Sequence, residues 1–243
     1  MLAGVVRETI GGVTGADDVD TLVFDVLGTV VDEAGSMRAE LVAALDQAGA
    51  GRQAEMLAAV WARRFADLVS AVQAGAPWRS TDDLNAEALA GALRDGPPLP
   101  EATVRHLALA GHRLTAWPDA RMALRRLADR FTIVALSNGN LSMLTNMFAA
   151  AGLTWHCVLS GEMVRAYKPD PAVYRFAVDR LALDPRRTLM VAAHPWDLRA
   201  AAVHGLRTAY IERAGEGEPE PSESFDLTAH DLAALAARLL TGT

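Results

Sequence analysis

Thr21-Leu22-Val23-Phe24-Asp25-Val26-Leu27-Gly28-Thr29 is the stretch that decides the fold: an apolar run that ends on a carboxylate and turns sharply through Gly-Thr. The segment from Thr21 to Leu27, bounded by Asp20 and Gly28, predicts a buried strand. A carboxylate at the carboxyl end of such a strand, at the mouth of an α/β sheet, is placed to act as a nucleophile. Two residues further on the chain has Leu27, an apolar side chain that can neither protonate a leaving group nor activate water.

Downstream the pattern changes, and no strand signal returns until Phe131. Helical periodicity spans Ser36 to Ala48, stopping at Gly49, and Gln53 to Ala74, stopping before Gly75 and Pro77. Ser80 to Asp83 reads as a capping box opening a third helix that ends at Asp95-Gly96-Pro97-Pro98; a fourth runs from about Pro100 to Arg113. Trp117-Pro118-Asp119 opens a helix to Arg130, after which strands (131–136, 156–159, 188–193, 207–211) alternate with helices (141–151, 170–181, 198–204). A polar loop from Ala214 to Ser224, a strand-like Phe225-Asp226-Leu227 and an amphipathic helix close the chain. Strands separated by helices imply a parallel sheet covered on both faces. The fold class is α/β, a Rossmann-like parallel sheet core with an inserted helical cap subdomain. Residues 1–20 are assigned to a flexible leader, 21–34 and 116–243 to the core domain, and 35–115 to the helical cap.

The length of 243 residues suits a core domain with one insert, and 51% hydrophobic with 22% charged residues reads as a soluble globular enzyme. A formal net charge of −7 argues against nucleic-acid binding, which needs clustered Lys and Arg, and leaves local positive groups to draw in a small anionic substrate. No apolar run reaches the roughly 18 residues of a membrane span, and the first twenty lack the apolar segment of a signal peptide. The single cysteine, Cys157, excludes an intrachain disulfide and fits a reducing cytoplasm. The histidines show no zinc spacing.

In a parallel sheet the ligand site lies beyond the carboxyl ends of the strands, so the polar residues following each strand belong together. Asp25 and Thr29 follow the first strand, Ser137-Asn138-Gly139-Asn140 the next. Lys168 stands in Tyr167-Lys168-Pro169-Asp170-Pro171, and His194 and Asp197 follow Val191-Ala192-Ala193. Singly, each has an ordinary explanation in turn chemistry, solvation or helix capping. Together they offer a nucleophile, a hydroxyl with an amide, a cation and a His/Asp pair on one rim.

At these residues the chain resembles the haloacid dehalogenase superfamily and, within it, the L-2-haloacid dehalogenase branch. The resemblance covers about residues 21 to 213: Phe24-Asp25-x-x-Gly28-Thr29, a helical cap, Leu136-Ser137-Asn138-Gly139, Tyr167-Lys168-Pro169-Asp170 with Tyr174, and Trp196-Asp197. It implies that Asp25 attacks C2 of a short 2-haloacid, displaces halide and forms an ester that water then hydrolyses, with no metal and no organic cofactor. It further implies that Lys168 favours ionised Asp25, that Thr29, Ser137 and Asn138 hold the substrate carboxylate, and that Asp197 and Tyr174 orient Lys168 or the hydrolytic water. Leu27 and Trp196 would wall the substrate, and the family resemblance makes a homodimer the expected assembly.

Two departures from the family pattern carry information. Ala192-Ala193-His194-Pro195-Trp196-Asp197 stands where many relatives have Ser-Ser-Asn-x-x-Asp, and this version resembles a sub-branch that includes enzymes acting on fluoroacetate. There His194 would contract the halide pocket and donate an N–H to departing fluoride. In the second cap helix, Trp61 is followed by Ala62 where the family places a halide-binding Arg; Arg63 and Arg64 are the nearest replacements. Two other readings stay open: a Mg²⁺-dependent phosphatase or phosphonate hydrolase, against which Leu27 and Ala192-Ala193 speak, and a catalytically weakened binding protein, motivated by Ala62, Ala192 and Ala193.

Overall fold

The computed structural model describes residues 18–241. Its first strand, β1 (Thr21–Phe24), leads through a tight loop to a two-residue strand, β2 (Val31–Asp32). Helices α1 (Glu33–Gln47), α2 (Ala54–Gln73), α3 (Thr81–Leu93) and α4 (Glu101–Ala108) follow. A short strand, β3 (Thr115–Ala116), then pairs antiparallel with β2, Val31 against Ala116. The helical insert therefore leaves the core and rejoins it through one ribbon, which the sequence pattern did not announce because two residues carry no periodicity.

Regular alternation occupies the rest: α5 (Ala120–Ala128), β4 (Thr132–Ser137), α6 (Leu141–Ala151), β5 (Cys157–Ser160), α7 (Pro171–Arg180), β6 (Thr188–Ala192), α8 (Pro195–Val203), β7 (Arg207–Ile211), β8 (Leu227–Ala229) and α9 (Leu232–Thr241). The six-stranded sheet runs β5-β4-β1-β6-β7-β8 with every pairing parallel, as the α/β reading expects. Alternate residues feed two cores. Leu22 and Phe24 of β1, with Ile133 and Ala135 of β4, pack under α5, α6 and α9; Val23, Val134, Met190 and Ala192 pack under α7 and α8. A third apolar cluster, built on Leu41, Leu45, Leu57, Trp61 and Leu89, holds the inserted helices together. β1 lies between β4 and β6, where the winding reverses, so its carboxyl end opens into the crevice that this topology creates.

Local signals explain most boundaries. Ser80 and Asp83 form the capping box of α3, and Gly152 closes α6 in the left-handed region at φ 64°. Four expectations shift. The first strand stops at Phe24, although Asp25 N still donates to Val191 O at 2.9 Å. The fourth insert helix ends at Ala108 and continues as a 3-10 turn from Ala110 to Arg113. α8 begins at Pro195 rather than Leu198, because proline at the first helical position needs no N–H partner, so Asp197 lies inside the first turn instead of capping it. The last strand falls at Leu227–Ala229, two residues later than read. Of the expected leader, 1–17 lie outside the described residues; Val19 is already buried, and Asp20 accepts from Arg187 Nε at 2.8 Å.

Candidate active site

Five strand-end segments converge above the carboxyl edge of the sheet. Asp25, the first residue past β1, is buried and accepts on both carboxylate oxygens: Lys168 Nζ donates to Oδ1 at 2.7 Å, while Thr29 Oγ1 and His194 Nδ1 reach Oδ2 at 2.7 and 2.9 Å. Lys168 is 1% exposed and also donates to Asp197 Oδ2 at 2.5 Å; the remaining oxygen, Oδ1, accepts from Tyr174 OH at 2.5 Å. Asp197, fully buried at the amino end of α8, has one donor on each oxygen and holds the Lys168 ammonium against Asp25.

The electrostatics follow from these contacts. Burial alone would raise the Asp25 carboxyl, but the Lys168 ammonium and the bond from His194 outweigh it and hold Asp25 well below the usual carboxylate range. Burial likewise opposes the Lys168 charge, and the two carboxylates more than restore it, so its pKa is raised. For Asp197 burial wins, and the nearby Asp25 charge adds to it, so that carboxyl is raised. Burial and then the Asp197 charge keep the Tyr174 phenol protonated.

His194 bridges two carboxylates: Nδ1 faces Asp25, and Nε2 lies 3.0 Å from Glu216 Oε2. Burial would favour the neutral ring, yet the hydrogen bonds to Asp25 and Glu216 push its pKa up to about 10, so both ring nitrogens carry protons at neutral pH. The expected free N–H for a departing fluoride is therefore already engaged; His194 reaches a halide only by releasing one carboxylate.

A cavity of about 130 Å³ opens in front of Asp25, lined by Leu27, Glu33, Phe65, Val69, Thr81, Asn138, Tyr167, His194 and Trp196. At about 30 Å³ per liquid water it has room for about four waters, or for a short acid. A larger chamber of about 410 Å³ adjoins it, sharing Glu33 and Phe65 and lined by Met37, Ala58, Trp61 and Ala62. Leu27, Asn138, His194 and Trp196 border the cavity; Ser137 does not, its Oγ accepting Gly139 N at 3.1 Å to close the turn after β4. Asn138 faces two ways: its Oδ1 accepts Lys168 N at 2.7 Å, fixing the loop that carries the lysine.

Arg63 and Arg64 are exposed, and neither lines the cavity. The face of α2 turned to the site is Phe65 and Val69, continued by Gln73, whose Nε2 donates to Lys168 O at 2.8 Å. Residues one or two positions from Phe65 point about 100° or 200° away, which carries both guanidinium groups off that face. The i, i+4 spacing of Trp61, Phe65, Val69 and Gln73 was available to find it.

Glu33 and Glu216 were missed. Glu33 opens α1, and burial, with the neighbouring Glu216 charge, pushes its pKa up to about 7. Glu216 belongs to the loop after β7, a strand end like the others; reading that loop only as polar hid it. Among the described residues no three His, Cys, Asp or Glu side chains form a group able to hold a metal ion, and the Lys168 ammonium sits between Asp25 and Asp197.

Comparison with known proteins agrees with this geometry. Residues 19–205 match the sequence profile of the haloacid dehalogenase-like hydrolases. The chain is 34% identical to (S)-2-haloacid dehalogenase 1 of Pseudomonas sp. (strain CBS-3), over 90% of this chain and 95% of that protein. It is 33% identical to (S)-2-haloacid dehalogenase 4A of Burkholderia cepacia, over 82% and 85%. The crystal structure of a defluorinating L-2-haloacid dehalogenase superposes with a TM-score of 0.84 at 33% identity, covering 92% of this chain and 96% of that one.

Proposed function

The chain belongs to the haloacid dehalogenase-like hydrolase family, and from that premise we propose that it is a hydrolase of carbon–halide bonds, converting short 2-haloacids to 2-hydroxyacids through an ester on Asp25. The observation that carries the reading is a buried, ionised Asp25 held by Lys168 with an apolar side chain, Leu27, where a phosphatase needs its acid. In the first step an Asp25 oxygen forms a bond to C2 as the C2–halogen bond breaks, its electron pair leaving with the halide. In the second, water attacks the ester carbonyl carbon; the Cγ–O bond to the substrate breaks, one water proton ends on the departing alkoxide and the other in solvent. The small cavity limits the water around the carboxylate nucleophile, which favours displacement.

The (S)-2-haloacid dehalogenase relatives support the L-configured substrate, and the likeness to a defluorinating L-2-haloacid dehalogenase supports fluoroacetate as one of its substrates. A homodimer in a reducing cytoplasm completes the reading, supported by the lone cysteine for the compartment and by resemblance for the assembly. Halide release from chloroacetate, L-2-chloropropionate and fluoroacetate, measured with EDTA beside a generic phosphatase substrate with Mg²⁺, tests it. Chloride release that falls at least ~10⁴-fold in Asp25→Asn is the expected result; phosphate release alone, or silence in both assays, overturns it. Light scattering of the purified protein tests the dimer.

A further inference from the structure

We propose that His194, positioned by Glu216, is the oxyanion donor of the second half-reaction, stabilising charge on Asp25 Oδ2 while the ester is hydrolysed. This role rests on the dehalogenase reading and goes beyond it, because it assigns His194 to ester hydrolysis rather than to the departing halide and gives Glu216 a part in the reaction.

The two oxygens of Asp25 are not equivalent. A carboxylate oxygen has two lone-pair sites. Oδ2 is filled by Thr29 and His194, whereas Oδ1 has a single donor, Lys168. Oδ1 is therefore the oxygen free to bond to carbon, and Oδ2 becomes the carbonyl oxygen of the ester. When water attacks Cγ, the carbonyl π pair moves onto Oδ2, between the same two donors. It returns as the Cγ–Oδ1 bond breaks and the alkoxide takes a proton.

Both donors are fixed before the reaction. Ala193 N donates to Thr29 Oγ1 at 2.8 Å, which leaves the hydroxyl proton aimed at Oδ2. His194 is tied at its far nitrogen to Glu216. The Glu216 carboxylate rests over Gly28, where a Cβ would lie 2.6 Å from its Cδ and where φ is +77°, so this position needs glycine both for the turn and for the seat of Glu216. Preorganised donors of this kind stabilise developing charge without reorganisation. The charged and titratable groups facing the ring are Asp25 from the end of β1, Glu216 from the loop after β7 and Glu33 from α1, with Lys168 behind Asp25 and the Trp196 ring 5.4 Å away.

Rapid-quench halide release from L-2-chloropropionate, with mass spectrometry of the quenched protein, separates the two half-reactions. In His194→Gln and Glu216→Gln, first-turnover chloride release is expected within about threefold of wild type. Steady-state turnover falls about 10²-fold, the cost of one oxyanion donor, and Asp25 is trapped as its ester. In the unmodified enzyme the trapped fraction rises with pH as His194 loses its proton, at a pH below about 10 because esterification removes the Asp25 charge that raises it, and in Glu216→Gln that rise moves lower still. The wild-type series decides the question if a variant does not fold. First-turnover release that slows in step with turnover, without ester, or a wild-type ester fraction that stays flat with pH, overturns the role. A wild-type enzyme that releases no halide overturns the dehalogenase reading beneath it.

Discussion

The two sides of the cleft are built on opposite principles. On the core side Asp25, Lys168, Asp197, Tyr174 and His194 satisfy one another, and all but His194 are almost completely buried. On the insert side the walls are Phe65 and Val69, with Glu33 beside them, whose carboxyl has no hydrogen-bond or ion-pair partner among the described residues. Charges taken from water persist only when paired, and here the sheet edge supplies the pairs. The core side therefore fixes the chemistry, while the apolar side sets which small acid fits and how dry the cavity stays.

Breaking the core side is expected to have the largest effect. Lys168→Met leaves Asp25 and Asp197 as two buried carboxylates with no cation between them. Removing one partner of such a set costs about 3–5 kcal/mol, to be read as a lower urea midpoint at unchanged slope, and halide release should vanish with it. A loss under about 1 kcal/mol would mean that the network is solvated and that the contrast between the two sides is wrong.

Glu33 tests the other side through pH. Its pKa is raised from 4.5 to about 7, so between these values the folded state holds a proton that the unfolded state has lost. The raised value therefore destabilises as pH climbs from about 4.5 to about 7, and the penalty is complete above that. Because the carboxyl faces a cavity open to solvent, the penalty is discounted to on the order of 2 kcal/mol. Glu33→Gln should be more stable than wild type by that amount at pH 8 and equal to it at pH 4, in paired urea titrations. A pH-independent difference would place Glu33 in solvent. Phe65→Ala sharpens the contrast at smaller scale. Losing this half-buried ring, which borders both cavities, should raise KM about tenfold, or about 1.4 kcal/mol, with kcat within about threefold.

What the sequence disclosed follows the same division. Asp25, Lys168 and Asp197 were legible because strand ends are fixed points: an apolar run stops, a polar residue follows, and the parallel sheet brings every such end to one edge. His194 was legible by the same rule, but its second bond was not, because Glu216 lies in a loop without periodicity whose seat depends on a glycine far away in the chain. On the insert side residues are placed by helix rotation and by how α2 leans on the core, and the run Trp61-Ala62-Arg63-Arg64-Phe65 does not state which of its faces meets Asp25. Glu33 was hidden for a related reason, since a Glu at the start of a helix has an ordinary explanation in the helix dipole.

The smallest expected effect concerns that rotation directly. Ala62 and Phe65 line the chamber beside the site, and a helix carries its intervening residues about 100° apart, so Arg63 and Arg64 point elsewhere. The Arg64 guanidinium lies against Gly91 of α3, where an added Cβ would come within 2.9 Å of Nη1, and it is thus packed along the insert and away from Asp25. Arg63→Ala and Arg64→Ala should therefore leave halide release within about twofold of wild type, and stability within about 0.5 kcal/mol, as for exposed positions generally. A tenfold loss in chloride release from either would require α2 to turn by most of a residue during catalysis. A charged donor would then enter the cavity from the insert, and the division between a charged core side and an apolar opposite wall would no longer hold.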